Sequence, residues 1–126
     1  TTEIYTLSLH DALPISEEEI KQSGIDYKVS KFMFAANGKA LSLGEAEGFV
    51  KVFSSKEDNK IIGVTIVGPH ANDLIHEGAL AIANGLDVNS IARTIHAHPT
   101  LSEAFMEAVH GLDHKAIHIA PKRTRR

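Results

Sequence analysis

Apolar and polar positions along the chain follow two different periods, which predicts a mixture of strands and helices. Residues 49–53 and 61–67 are rich in β-branched and aromatic side chains and flank the polar turn of residues 54–60, so they predict an antiparallel hairpin. Residues 61–67 are apolar on both faces, which indicates a central strand covered by helices. Residues 27–34 predict a further strand, whose alternation slips near Lys31 and indicates a bulge or a strand buried on both faces.

Helical spacing of apolar residues predicts helices between and after these strands. A helix over residues 16–23 ends at Gly24, and a second over residues 72–83 ends near Gly85, because glycine is favoured just past a helix end. Asp87 caps a shorter third helix. This order of strands and helices is typical of the α+β class.

Residues 35–47 are small and contain glycine, which predicts a loop or a weak extra strand. The final residues 121–126 are basic, and we expect a disordered, solvated tail.

Composition restricts the kinds of partner. The 126 residues suit one domain, with 43% hydrophobic and 23% charged residues. A net charge of -3 provides no basic field for nucleic acid. The longest apolar run, residues 61–67, is too short to span a bilayer, so we expect no membrane partner. The chain contains no cysteine, which excludes a disulfide framework and a thiolate metal site.

One motif combines a histidine with a carboxylate at a predicted helix start, and its sequence is His96-Ala97-His98-Pro99-Thr100-Leu101-Ser102-Glu103. Thr100 and Glu103 fit a capping box, with Thr100 as the N-cap of an apolar-striped helix. The helix start directs Glu103 back toward His98, and a histidine oriented by a carboxylate is a general acid or base near neutral pH. The pattern alone leaves a second interpretation open, in which Glu103 only caps the helix and His98 is a partly buried polar residue.

Three further histidines, His110, His114 and His118, follow at intervals of four and would share one face of a continuous helix. Gly111 interrupts that helix, and we therefore expect no metal site there.

The pattern His-x-His-Pro-Thr-x-x-Glu resembles the signature near the C-terminus of the dihydrolipoyl dehydrogenases, the flavoproteins that reoxidise lipoamide. Other segments resemble the same family in its order and spacing: residues 31–40, 47–52, 62–69, 77–82 and 91–94. From about residue 16 to about residue 119 the chain is similar to the C-terminal interface domain of that family.

The resemblance implies a fold and a role. We expect a mostly antiparallel sheet with helices packed on one side, and a dimerisation domain over residues 16–120. It implies a homodimer in which His98 and Glu103 of each subunit serve the flavin and redox disulfide of the other. His98 would take the proton of a dihydrolipoamide thiol while Glu103 orients the imidazole. Pro99 and Thr100 would be positioning residues, and His96 a supporting or interface residue.

The cofactors implied are FAD, near which His98 and Pro99 are expected, and NAD. The chain has neither the family's cysteine pair nor a G-x-G-x-x-G fingerprint, so the resemblance implies upstream FAD and NAD domains. We therefore expect a catalytically silent fragment that binds no cofactor by itself. The implied partners are lipoyl domains of 2-oxoacid dehydrogenase or glycine cleavage complexes, in the bacterial cytoplasm or the mitochondrial matrix.

Two alternatives remain. Another flavin disulfide reductase, such as glutathione reductase, is similar at His-Pro-Thr and the glutamate but usually lacks the histidine two residues before His98. A dimerisation module without chemistry is the other.

The resemblance also predicts two surface properties. The helices at residues 74–83 and 100–109 should expose apolar area for a subunit interface. Residues 1–15 depart from the family, and residues 7–15 resemble a peptide that recurs as translated sequencing-adaptor read-through. We expect residues 1–15 to be a non-family or artefactual segment that is irregular, an incipient helix or a poorly paired edge.

Overall fold

The computed structural model describes the backbone of residues 3–8 and all atoms of residues 17–113. The strands are β1 (Glu3–Ser8), β2 (Tyr27–Met33), β3 (Phe49–Ser55) and β4 (Ile61–Gly68). The helices are α1 (Glu17–Gln22), α2 (Gly38–Leu43), α3 (Ala71–Ala83), α4 (Val88–Ala92) and α5 (Glu103–Leu112). A single 3₁₀ turn (Phe34–Ala36) joins β2 to the segment before α2.

The four described strands form one antiparallel sheet in the order β1-β4-β3-β2. The predicted hairpin of β3 and β4 is confirmed, and β4 lies in the interior of the sheet as expected. β2 has no bulge near Lys31, and Phe32 is the one buried residue of this strand, so both predicted alternatives, a bulge and a strand buried on both faces, were wrong. Lys31 stays in register opposite Lys51. Its ammonium lies 3.9 Å from the centroid of the Phe49 ring, and this cation–π contact stabilises the positive charge of Lys31. The register shift occurs instead between β3 and β4, next to Phe53.

The core lies between one face of the sheet and the helices α3 and α5. The sheet contributes fully buried side chains from three strands: Phe32, Val50, Val52, Val64 and Ile66. The apolar stripe of α5 packs on them through Ala104, Phe105, Ala108 and Val109. In α3 the helix backbone comes close to the sheet at Gly78, where a Cβ atom would lie 2.9 Å from a methyl of Val64. The predicted α+β class, with the long helices on one side of an antiparallel sheet, is confirmed.

Among the described residues, a second, smaller cluster covers one end of the opposite face of the sheet. Ile20 of α1 packs there against Phe53 and Ile62. Tyr27 joins them, with its ring edge-to-face against Phe53 at a centroid distance of 5.9 Å. This smaller cluster fixes α1 on the sheet.

The structure corrects the prediction of a loop or weak strand over residues 35–47, because α2 lies there. Asn37 is the N-cap of α2, and its side-chain oxygen accepts a hydrogen bond from the amide of Ala40. Gly44 ends the helix with a left-handed φ of 69°. An asparagine cap followed by a glycine stop was the signal that could have revealed this helix.

Residues 3–8 form a regular edge strand, paired with β4 over the whole of β1. An edge was one of the expected outcomes, but irregular structure and poor pairing were wrong for these residues. An edge strand needs hydrogen bonds on one side only, and Ile4, Tyr5 and Thr6 favour extended backbone. The expectations for residues 9–15, for His114 and His118 and for the tail at 121–126 lie outside the described residues.

The prediction of exposed apolar area on the helix at residues 100–109 was wrong, because α5 turns its large apolar side chains into the core. On α3 one large hydrophobic residue, Leu80, is exposed. The other exposed large hydrophobic residues of the described chain are Val29, Met33, Leu41, Leu43 and Ile95. No helix within residues 17–113 has the length and apolar character needed to cross a membrane.

Candidate active site

The structure brings His98 and Glu103 together at the start of α5. Nδ1 of His98 lies 2.9 Å from Oε1 and 3.2 Å from Oε2 of Glu103. Glu103 is the first residue of α5, where a negative charge is favourable. The helix therefore fixes the carboxylate, and the carboxylate fixes the imidazole.

Glu103 is itself anchored by the loop that precedes the helix. Its Oε2 accepts a hydrogen bond from the backbone amide of Thr100 at 2.9 Å, which is one half of the predicted capping box. The other half is absent, and the prediction of Thr100 as N-cap was wrong. The Thr100 hydroxyl donates instead to the carbonyl of Ala97 at 2.7 Å, and Ser102 is the N-cap. The helix consequently begins at Glu103.

The two partners differ in exposure. The His98 side chain is 79% exposed, whereas that of Glu103 is 19% exposed. A carboxylate that accepts from Nδ1 selects the tautomer with the proton on Nδ1. In that tautomer Nε2 carries the lone pair, and a ring that is 79% exposed leaves it accessible to a proton donor from outside. The peptide bond between His98 and Pro99 is cis.

His96 lies two residues away in a different environment. Its side chain is 5% exposed and is enclosed by polar partners on both ring nitrogens. Nδ1 lies 2.9 Å from the carbonyl oxygen of Thr94, and Nε2 lies 2.5 Å from Oε1 of Glu77 on α3. Glu77 was not predictable as a partner of His96, since the spacing between them matches no local motif.

Asn37 is a second residue that the sequence analysis missed. Its amide nitrogen donates to the carbonyl oxygen of Thr100 at 3.0 Å, and the residue is 5% exposed. The two residues are 63 positions apart, so that no local pattern joins them. The asparagine cap of α2 was the only available signal.

The remaining histidines do not assemble into a site within the described chain. Nε2 of His110 lies 3.3 Å from the carbonyl oxygen of Ala92 and joins α5 to α4. The prediction that Gly111 interrupts the helix was wrong, because α5 continues to Leu112. Among residues 17–113 no group of three or more histidine or carboxylate side chains is arranged to hold a metal ion.

Hydrogen bonds lower the pKa of two carboxyl groups near helix starts, those of Glu17 and Asp87. Lys51 donates a hydrogen bond to Glu17 and thereby lowers the pKa of that carboxyl below its ordinary value of 4.5. The hydroxyl and amide of Ser90 lower the pKa of Asp87, the N-cap of α4. Both shifts arise from contacts that stabilise the fold.

Comparison with known proteins gives a consistent set of relatives. The chain is 46% identical over 116 residues to dihydrolipoyl dehydrogenase of Thermus scotoductus, which covers 92% of this chain and 25% of that protein. It is 50% identical over 93 residues to the mitochondrial dihydrolipoyl dehydrogenase of Sus scrofa, covering 74% of this chain and 18% of the relative. The chain thus spans at most about a quarter of the curated relatives named here.

A solved structure agrees with the fold. LpdA from Mycobacterium tuberculosis superposes with a TM-score of 0.77 at 27% identity, over 86% of this chain and 22% of that one. The model of the pyridine nucleotide-disulphide oxidoreductase dimerisation domain matches residues 15–109. The chain therefore belongs to the dimerisation-domain family of the pyridine nucleotide-disulphide oxidoreductases.

Proposed function

We propose that this chain supplies the acid–base half of the active site in a dihydrolipoyl dehydrogenase, with His98 as the general base and Glu103 as the residue that orients it. The observation that supports this most is the contact between an exposed imidazole and a shielded carboxylate at 2.9 Å. Thr100 is a positioning residue because its amide donates a hydrogen bond to Glu103. Pro99 is a positioning residue because it joins Thr100 to His98 in the chain. His96 supports the same loop from within the domain.

The chemistry assigned to His98 is the removal of a thiol proton. A free thiol with a pKa of about 8.5 is mostly protonated at neutral pH, and only the thiolate attacks a disulfide. Nε2 of His98 takes the proton from dihydrolipoamide, and Glu103 stabilises the imidazolium that forms. Over the whole reaction the dithiol becomes a disulfide, NAD accepts two electrons and one proton, and a second proton is released.

FAD and NAD supply the path for those electrons when they are bound. Neither a cysteine pair nor a glycine-rich dinucleotide loop is present in this sequence, so both cofactors and the redox disulfide belong to other parts of the protein. The side chains present fit that division. His98 faces outward, and the neighbouring Ile95 is 96% exposed, so that this loop is available to a second polypeptide surface. We place His98 and Pro99 near the flavin of the second subunit of a homodimer.

The substrate is assigned as the lipoyl group of a 2-oxoacid dehydrogenase or glycine cleavage complex. The relatives named above include a bacterial and a mitochondrial protein, and the corresponding compartments are the cytoplasm and the mitochondrial matrix.

The test is an assay of the full-length protein that carries residues 1–126. We expect reduction of NAD with free dihydrolipoamide and no reduction of glutathione disulfide with NADPH. The isolated chain should show neither reaction. Turnover of glutathione disulfide would favour the glutathione reductase alternative, and a full-length protein without either activity would favour a dimerisation module without chemistry.

A further inference from the structure

We propose that Asn37 and Glu77 are positioning residues that fix the two ends of the histidine loop, defined as residues 96–100. The proposal rests on the function assigned to His98 above. His98 itself is 79% exposed, so that packing of its own side chain does little to hold it in place. Its position therefore depends on what holds the backbone on either side.

The upstream end is held through His96. The Thr94 carbonyl can only accept a hydrogen bond, so Nδ1 of His96 carries a proton and donates to it. Nε2 then makes the contact with Glu77 at 2.5 Å. Glu77 is on α3 beside Gly78, where an added Cβ atom would lie 2.9 Å from a methyl of Val64. The first end of the loop is thus tied to a helix that packs tightly on the sheet.

The downstream end is held through the carbonyl of Thr100. Nδ2 of Asn37 donates to that oxygen, while Oδ1 of the same amide accepts from Ala40 at 2.9 Å. Because both ends of the amide are used and the residue is 5% exposed, its orientation is fixed. The second end of the loop is thus tied to the N-cap of α2.

Within the loop, Thr100 connects these anchors to the acid–base pair. Its hydroxyl donates to Ala97 and its amide donates to Glu103. A shift of the Thr100 carbonyl therefore displaces the carboxylate as well as the backbone that carries His98. A misplacement of about 1 Å in a reacting group costs up to about 10²-fold in rate, which gives these remote contacts a measurable effect.

The experiment uses the full-length protein with FAD bound, assayed with free dihydrolipoamide and NAD. Asn37→Asp keeps an oxygen that accepts from Ala40 but replaces the donor to Thr100 by a carboxylate oxygen. We expect kcat to fall about 10-fold with KM changed less than twofold. Asn84→Asp is the matched control, because the Asn84 amide donates to the Leu80 carbonyl at 2.9 Å on the exposed end of α3. This control should leave kcat unchanged.

Glu77 is tested with a pair of variants. Glu77→Ala removes the partner of His96, and we expect kcat to fall about 10-fold as well. Glu77→Gln retains a hydrogen-bonding group opposite Nε2, because a side-chain amide can donate through its nitrogen or accept through its oxygen, and it should restore kcat to within about threefold of the original protein. Rescue by glutamine shows that the hydrogen bond to His96 is what the loop requires.

A readout independent of turnover is hydrogen–deuterium exchange in the peptide that covers residues 96–103. Faster exchange there in Asn37→Asp and Glu77→Ala, with unchanged exchange in β3, supports the proposal. Asn37→Ser, which keeps the helix cap but is too short to reach Thr100, replaces Asn37→Asp if that variant loses FAD.

Unchanged kcat in the variants of both positions overturns the proposal, whether or not exchange is altered. That result differs from failure of the proposed function, in which His98→Gln itself retains full turnover.

Discussion

Two histidine–glutamate pairs lie two residues apart in this chain and have opposite surroundings. His98 meets Glu103 five positions away, and its ring is 79% exposed. His96 meets Glu77 on another helix, 19 positions away, and its ring is 5% exposed. The chemical groups are the same in both pairs. The pairs differ in the burial of the imidazole and in what the second ring nitrogen contacts.

The second ring nitrogen distinguishes the pair that we propose to be catalytic from the buried pair. In His96 both nitrogens face acceptors of the chain, so the ring is fully used in holding the loop. In His98 the carboxylate contacts Nδ1, and the ring as a whole is largely exposed. In a third pair, the side chains of His70 and Glu45 are 47% and 40% exposed, so neither partner is shielded as Glu103 is. A histidine–glutamate contact alone is therefore not evidence of an active site.

The largest effect should come from the exposed pair. His98→Gln removes the imidazole, and we expect turnover of dihydrolipoamide in the full-length protein to fall by about 10²-fold or more. FAD content should be unchanged, because the side chain is exposed. His76→Gln on the exposed face of α3 is the control. Near-normal rates in His98→Gln would remove the proposed role.

Loss of the buried histidine should destabilise the fold more than loss of the exposed one. His96→Ala leaves the Thr94 carbonyl and Glu77 without their partner, and we expect a loss of about 1–3 kcal/mol in the free energy of unfolding. His98→Ala should change that free energy by less than about 0.5 kcal/mol. Urea unfolding of the chain followed by circular dichroism measures both. Equal losses in the two variants would contradict the distinction.

The orienting carboxylate should have a smaller effect than its histidine. Glu103 accepts hydrogen bonds from Nδ1 of His98 and from the amide of Thr100. Glutamine has one accepting oxygen, so Glu103→Gln keeps one of these bonds and the imidazole survives. We expect turnover to fall about 10-fold, less than in His98→Gln. Glu45→Gln, in the exposed pair with His70, is the matched control and should leave turnover unaltered.

The sequence predicted the elements whose signal is local. The hairpin of β3 and β4 follows from two β-rich runs around a polar turn, and α3 from apolar spacing between Asn72 and Gly85. The contact of His98 with Glu103 was also predictable, because a helix start brings them together within six residues. Each of these depends on neighbours in the chain.

Features that depend on distant residues were not predictable in this way. The core position of α5 is set by the sheet, so an apolar stripe expected to serve an interface is buried within the domain. Asn37 and Glu77 reach the histidine loop across 63 and 19 positions. The predicted start of α5 was wrong because the Thr100 hydroxyl donates a hydrogen bond to the Ala97 carbonyl and does not cap the helix. A capping pattern in sequence does not say which of two acceptable partners a hydroxyl takes.

The smallest effect should come from a carboxylate paired with lysine, where no histidine takes part. Lys51 donates to Glu17 and lowers its pKa below 4.5, so the folded chain holds this carboxylate charged more strongly than the unfolded chain. A lowered folded pKa contributes stability above the unfolded value, and that contribution is lost as the pH falls through the folded value. Unfolding by urea at about pH 6 and about pH 3 should show lower stability in acid, with a smaller difference in Glu17→Gln than in Glu18→Gln. Part of the dependence should survive in Glu17→Gln because the pKa of Asp87 is lowered too. An identical acid dependence in both variants would show that the Lys51 contact does not stabilise the fold.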